Sequence, residues 1–533
     1  MRQNKKQRNR LITSMLASMV ALSALSQTNG ERPQLVVEII IDQLRSDYIE
    51  LLQNHFGESG FNRLTQNGAC FENVDFNIDN IDKVSATGML VTGAYPRING
   101  LSGAQVYDAQ KHSAKNILTD PDKLGNFTSE NLSPKALRVT TISDELKING
   151  NGLGLVYSIA PDAQQAIVMA GHAGNGAFWI NDVNGKWSTT TFYTDVPQAI
   201  STRNYKTPLA VRLDTMMWSP AMDLAKYPDI PVHKKYYPFR YVFPSSRKDR
   251  YSSYKKSALV NEEVTSVALD FLKSLNMGGR GETDMLNIAY TAAPFNDECG
   301  HGSVELQDIY LRLDKQLGRL FDAIDSSVGL QNTLVFVSST GYFEDNSKTE
   351  EKYKLPVGEF TPSKAKSLLN LYLMAVYGNA QWVSDYYGET FYLNQKTVKE
   401  KNVDIKEVRK KASEFLRRMS GVAEAFSIDE IIDNPLGENA KRIHNGLVPS
   451  NAGDVFIEIM PGWSVVENEN TPNQRVKQVR ANVVSTPVYI LHPQVKSQKI
   501  YTPIDATLLA PTVSRLLRIR SPNAAEEKPI ILE

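Results

Sequence analysis

A chain of 533 residues can bury a large core, and by domain-size scaling it holds one very large domain or two to three ordinary ones. Lys plus Arg and Asp plus Glu each number 59, so the formal charge is zero and the surface offers no electrostatic footprint for nucleic acid or an anionic membrane. With 41% hydrophobic and 22% charged residues, the composition excludes long disorder and a polytopic membrane fold.

The N-terminus reads as a targeting segment. Arg2, Lys5, Lys6, Arg8 and Arg10 precede an apolar run over Leu11–Leu25, and Ala24-Leu25-Ser26 fits a small-x-small cleavage rule. Residues 1–26 are therefore expected to be a signal peptide removed on export to the periplasm or beyond, because the run is short for a span needing roughly 20 apolar residues. No Cys follows it, so no lipid anchor is indicated, and no transmembrane anchor is expected in the mature chain. Cys70 and Cys299 allow one disulfide at most, which rules out a disulfide scaffold and leaves their pairing open.

The run Leu35–Ile41 is nearly all apolar and rich in β-branched residues, the pattern of a buried parallel strand. It ends at Asp42, after which Leu44, Tyr48, Leu51 and Leu52 recur at helical spacing. Open α/β sheets bind ligands beyond the carboxyl ends of their strands, so Asp42 is a candidate ligand; Asp is also a preferred helix N-cap, and both roles stay open. Asp82–Gly100 has the frame of a catalytic turn, with Thr92-Gly93, Tyr95-Pro96 and Asn99-Gly100 closing a helix into a tight exit loop. Further buried strands are predicted over Gly154–Ile159, Ala166–Ala170, Leu286–Thr291 and Thr333–Ser338, with amphipathic helices around Val264–Leu272 and Leu306–Ile324. Such alternation predicts an α/β fold, a mainly parallel central sheet with helices on both faces.

Residues 186–257 differ in texture, with Tyr, Pro, Lys and Arg clustered as in Lys234-Lys235-Tyr236-Tyr237-Pro238. This stretch reads as a cap insertion, either a surface for a protein or glycan partner or an ordinary solvated insertion. Lys399–Met419, with Val408, Ala412, Phe415 and Leu416 on one face, is predicted as a charged helix inside a second, peripheral insertion over 343–440. Without repeats, low-complexity tracts or a long linker, residues 31–533 are expected to form one domain carrying both insertions.

Two motifs could carry chemistry. Asn296-Asp297-Glu298-Cys299-Gly300-His301 follows a predicted strand, and Asp297 and His301 could converge on a divalent cation or merely form a capped turn. Gly171-His172-Ala173-Gly174-Asn175-Gly176 is Gly-rich but lacks the strand-turn-helix spacing of a nucleotide fingerprint.

Taken together, the strand ending in Asp42, the turn Val91-Thr92-Gly93-Ala94-Tyr95-Pro96, Ala170-Gly171-His172 before an aromatic strand, and Asp297 with Gly300-His301 resemble the alkaline phosphatase superfamily. The similarity is to its nucleotide pyrophosphatase/phosphodiesterase branch and most to the periplasmic phosphate-irrepressible alkaline phosphatases of Bacteroidota. It continues through Asp314–Val328, Phe391–Asn394, Gly453-Asp454, Pro461–Trp463 and Thr502–Leu517, and so spans essentially the mature chain. The resemblance implies a zinc-dependent phosphatase or phosphodiesterase with a Thr or Ser nucleophile. One metal would take an Asp-x-x-x-His pair and a late His. The other would take the first-strand Asp, the nucleophile and an adjacent Asp-His pair.

Carried over residue by residue, Asp42, Asp297 and His301 match as remnant metal ligands. At the nucleophile position stands Lys83, with Ser85 and Thr87 where the family has Pro and His; these hydroxyls are the candidates for a shifted nucleophile. Thr340 and Gly341 stand where the adjacent Asp-His pair belongs. No His lies between Trp463 and the strand Val488–Leu491, and His492 follows that strand. The Lys and Arg that would clamp phosphate are replaced by Asp162 and Gln164, and the phosphate-contacting Asn by Ala104. These losses fall on separate parts of one mechanism, so the sequence predicts an exported pseudoenzyme that acts as a binding or structural module, with zinc binding weak or absent. The alternative is a metal-dependent phosphoric ester hydrolase using the shifted nucleophile.

Overall fold

The computed structural model describes residues 32–228, 230, 237–296, 299–344, 358–466 and 484–532, and the backbone of 475–477. The expected signal peptide, Lys234–Tyr236 and Asp297-Glu298 lie outside these residues. No helix among the described residues is long and apolar enough to cross a membrane.

The β-branched run at the start becomes the central strand Leu35–Asp42, in which every residue is buried because both sheet faces are covered. It pairs in parallel with Asp284–Thr291 on one side and Thr333–Ser339 on the other. Val156–Ala160 and Gly176–Ile180 extend the parallel set beyond Asp284–Thr291. Towards the edges, Val488–Leu491 and Trp187–Thr190 run antiparallel, giving, among the described residues, a mixed sheet of ten strands in which five neighbouring strands are parallel. One face packs against the helices Leu259–Ser274 and Val304–Ser327. The other packs against Lys83–Thr92, Ile142–Asn149, Ala163–Ala170 and Leu509–Leu517. All five parallel strands therefore present their carboxyl ends along one edge, which is where a doubly covered sheet leaves room for a site.

The run Ala166–Ala170, expected as a strand, is instead the end of the helix Ala163–Ala170, stopped by Gly171 at a φ of 66°. Its apolar residues are wedged between the sheet and neighbouring helices, so they are buried all round and lose the amphipathic period that marks a helix. Lys399–Met419 is not one helix: Gln395–Glu400 ends at a turn, and Ile405–Leu416 starts afresh on the cap Asp404. That second helix belongs to a separate body with its own core, running from Phe360 to Val465 around the antiparallel sheet Val383–Tyr387, Thr390–Leu393, Val455–Ile459 and Val422–Ser427.

The described part of 186–257 is anchored by its aromatic residues. Trp218, Tyr227, Phe243 and Tyr254 are buried in the main core. Asp308 on the long helix Val304–Ser327 accepts from Trp218 Nε1, Ala221 N and Tyr227 OH, each at 2.6 Å, and from Arg312 Nε at 2.8 Å. Cys70 and Cys299 are both buried, and no disulfide joins them.

Candidate functional site

The helix Lys83–Thr92 is set at the sheet's carboxyl edge by its own sequence. Asp82 caps it, accepting from Val84 N and Ser85 N at 2.9 Å, while Ser85 Oγ accepts from Asp82 N to complete a capping box. Gly93 ends it in the left-handed region with a φ of 66° that a Cβ would disfavour. Pro96–Asn99 then makes one helical turn, closed by Gly100 at a φ of 92°. The helix closure and exit loop read from Asp82–Gly100 are thus present, and Lys83 is the first helical residue.

Asp42, at the end of the central strand, is almost fully buried. Its Oδ1 accepts from Thr340 Oγ1 and Tyr342 OH, both at 3.0 Å, and its Oδ2 lies 3.3 Å from Lys83 Nζ. Thr340 Oγ1 also accepts from Gln43 N at 2.8 Å, and Gln43 is held at a φ of 60°, an unfavoured backbone state kept in place by this network. Asp42 is thus surrounded by proton donors.

Lys83 Nζ reaches Asp162 Oδ2 at 2.7 Å. Asp162 occupies the N-cap position of Ala163–Ala170 but makes no cap hydrogen bond. Its carboxylate turns instead to Lys83 and, through Oδ1 at 2.6 Å, to Lys255 Nζ on the cap helix Arg250–Lys256. Lys255 continues to Asp182 Oδ1 at 2.7 Å, in the turn after Gly176–Ile180. Burial disfavours charge on Lys83, but Asp162 and Asp42 outweigh it and hold the ammonium protonated well above the ordinary lysine range. Burial likewise works against Asp162, yet Lys255 and Lys83 drive it far below the usual carboxylate range. These groups line a cavity of about 350 Å³ between the strand ends and the cap helix.

Gln164 does not line this cavity; it donates to Ala104 O at 2.8 Å and Asn116 Oδ1 at 3.1 Å. Ser85 is fully buried in the capping box, and Thr87, also fully buried, donates to Lys83 O at 2.5 Å. Gly341 adopts a φ of 76°, and a Cβ built there would meet Phe76 Cδ2 at 2.0 Å. The space a ligand side chain would need is therefore filled by a phenyl ring. His301 is exposed, with Nδ1 3.2 Å from Tyr48 OH. His492 is buried, and its Nδ1 accepts from Gln494 N in a turn. His172, in the turn just past the end of Ala163–Ala170, pairs with Asp144 at 3.1 Å and with Leu137 O at 3.0 Å.

Lys255, Asp182 and Tyr342 were not singled out by the sequence reading. Tyr342 follows Thr340-Gly341 directly and could have been suspected from that adjacency. Lys255 and Asp182 carry no local signal, since 93 residues separate Lys255 from Asp162.

A second cleft of about 540 Å³ opens between the hairpin Gln105–Asn116 and the separate body, lined in part by Tyr107, Tyr387 and Tyr392. Tyr107 stacks on Tyr387 with ring centroids 5.0 Å apart.

The sequence profile of the type I phosphodiesterase / nucleotide pyrophosphatase family matches residues 36–483. Alkaline phosphatase PafA of Elizabethkingia meningoseptica is 27% identical over 530 residues, covering 94% of each chain. Alkaline phosphatase PhoV of Synechococcus elongatus is 26% identical over 525 residues, covering 94% of this chain and 92% of its own. The crystal structure of wild-type PafA superposes with a TM-score of 0.82 at 25% identity, covering 94% of this chain and 99% of that one.

Proposed function

The chain belongs to the type I phosphodiesterase / nucleotide pyrophosphatase family, and from that premise we propose that it is an exported, catalytically silent member in which the phosphoesterase fold serves as a binding or structural module. The observation that carries this reading is Lys83 at the nucleophile position, its ammonium held by Asp162 at 2.7 Å and Asp42 at 3.3 Å. A lysine can attack phosphorus only after losing a proton, and its two carboxylate partners hold that proton in place.

The donors around Asp42 do not suit a zinc ion. One carboxylate oxygen takes two hydroxyl protons and the other an ammonium, Thr340 is a neutral hydroxyl, and Gly341 offers no side chain. Among the described residues, no group of three or more His, Cys, Asp or Glu could hold a metal. Asp162 presents a negative charge where a phosphate dianion would need a cation. Ser85 and Thr87, the alternative nucleophiles, are buried and tied to their own helix backbone.

Hydrolysis of aryl phosphate mono- and diesters, with and without added zinc, tests the reading, with turnover expected at the uncatalysed background throughout. Stoichiometric zinc together with metal-dependent turnover that Asp297→Ala abolishes would overturn it. Turnover that falls in Ser85→Ala or Thr87→Ala would establish the alternative, a surviving ester hydrolase with a shifted nucleophile.

A further inference from the structure

Five charged side chains from five separate parts of the chain form one unbroken series along the sheet's carboxyl edge. Asp42 ends the central strand, Lys83 begins the site helix, Asp162 follows Val156–Ala160, Lys255 lies on the cap helix, and Asp182 follows Gly176–Ile180. The links measure 3.3, 2.7, 2.6 and 2.7 Å in that order. Carboxylates brought together at strand ends repel one another unless a cation lies between them. Here both cations are lysines of the chain itself, and one of them, Lys255, comes from the insertion that closes the cavity. Removing it would leave Asp162 with Lys83 alone and would cut both ion pairs that tie the helix Arg250–Lys256 to the strand ends.

We propose that this lysine–carboxylate series is the resident occupant of the site, replacing bound metal as the neutralising charge and latching the cap helix Arg250–Lys256 over the strand ends. This rests on the silent-member reading for its contrast with metal-binding relatives, but not for its test. A protein that carries its own cations needs no metal to be stable, and breaking the series loosens the helix Arg250–Lys256. Both consequences are independent of any turnover.

Hydrogen–deuterium exchange and thermal unfolding of the full mature chain decide the matter. After chelation and again with excess zinc, wild-type Tm is expected to stay put, whereas zinc at about a hundred times a micromolar Kd would raise it by roughly 2–3 °C if it bound the native site. Lys255→Met is expected to raise exchange in 250–256 at least tenfold while leaving the helix Ile405–Leu416 unchanged, and Lys255→Arg is expected to restore protection. Asp182→Asn, which breaks only the outermost link at a half-exposed loop residue, is expected to raise cap exchange to a smaller extent and provides the same readout if Lys255→Met fails to fold. Unchanged cap exchange in both Lys255→Met and Asp182→Asn, or zinc-dependent protection of the wild-type cap, would overturn the proposal. Phosphate ester turnover by the wild type would sink the silent-member reading while leaving the latch standing or falling on exchange alone.

Discussion

Glu38 sits in the middle of the central strand, 1% exposed, with neither carboxyl oxygen hydrogen-bonded. Its register partners are Asn287 and Phe336, and it shares the sheet face of Val36 and Ile40 that the site helix covers. Burial alone pushes its pKa from 4.5 up to about 8. The folded protein therefore holds a proton that the unfolded chain releases near pH 4.5. The stability this contributes is fully present below pH 4.5 and is lost as pH rises through 8. At about 1.4 kcal/mol per pH unit, the loss is about 3 kcal/mol at pH 7 and about 5 kcal/mol above pH 8. Glu38→Gln removes the titration while leaving an amide whose own unmet hydrogen bonds cost a constant, pH-independent amount. Urea unfolding of wild type and variant from pH 5 to 8.5 should show the variant's relative stability growing by about 4 kcal/mol across that range. A difference that stays flat within about 0.5 kcal/mol would mean that Glu38 is partnered or hydrated in solution, and the reasoning would fail.

Gly341→His, which introduces the ligand residue type that the family resemblance implies at this position, should destabilise the fold, because its Cβ would overlap the Phe76 ring and its φ of 76° disfavours any side chain. A loss of about 3 kcal/mol or more in unfolding free energy is expected, and it should be smaller in the double variant with Phe76→Ala. Asp308→Asn keeps the shape of the cap anchor but removes the charge that Trp218, Ala221, Tyr227 and Arg312 share. It should cost about 2–4 kcal/mol and quench-shift the fluorescence of the buried Trp218, as measured by denaturation followed at that tryptophan. If neither stability nor emission moves, Asp308 does not hold the cap.

Much of the architecture was legible because it depends on local patterns. Leu35–Ile41 announced a doubly covered strand by its nearly continuous apolar content, and Thr92-Gly93, Tyr95-Pro96 and Asn99-Gly100 announced the close of a helix and its exit loop by Gly and Pro at the positions their backbone chemistry requires. Ala166–Ala170 was misread for a related reason. A helix buried on all sides shows the same continuous apolar run as a strand, and only the packing of neighbours against it resolves which it is. The split of Lys399–Met419 turned on Asp404, whose cap begins a new helix where periodicity suggested a continuous one.

By itself, the sequence determined which residue types stand around the strand ends: a Lys at 83, a Thr and a Gly at 340 and 341, an Asp at 162. Residue type settles what a position cannot supply, and that needs no coordinates. Only the tertiary structure decided what these residues do instead. Lys83 meets Asp42 across 41 positions and Lys255 meets Asp162 across 93, and Phe76 occupies the space beside Gly341. Such pairings are set by the order in which strands join the sheet and by how an insertion folds back over its edge. No short window of sequence carries either.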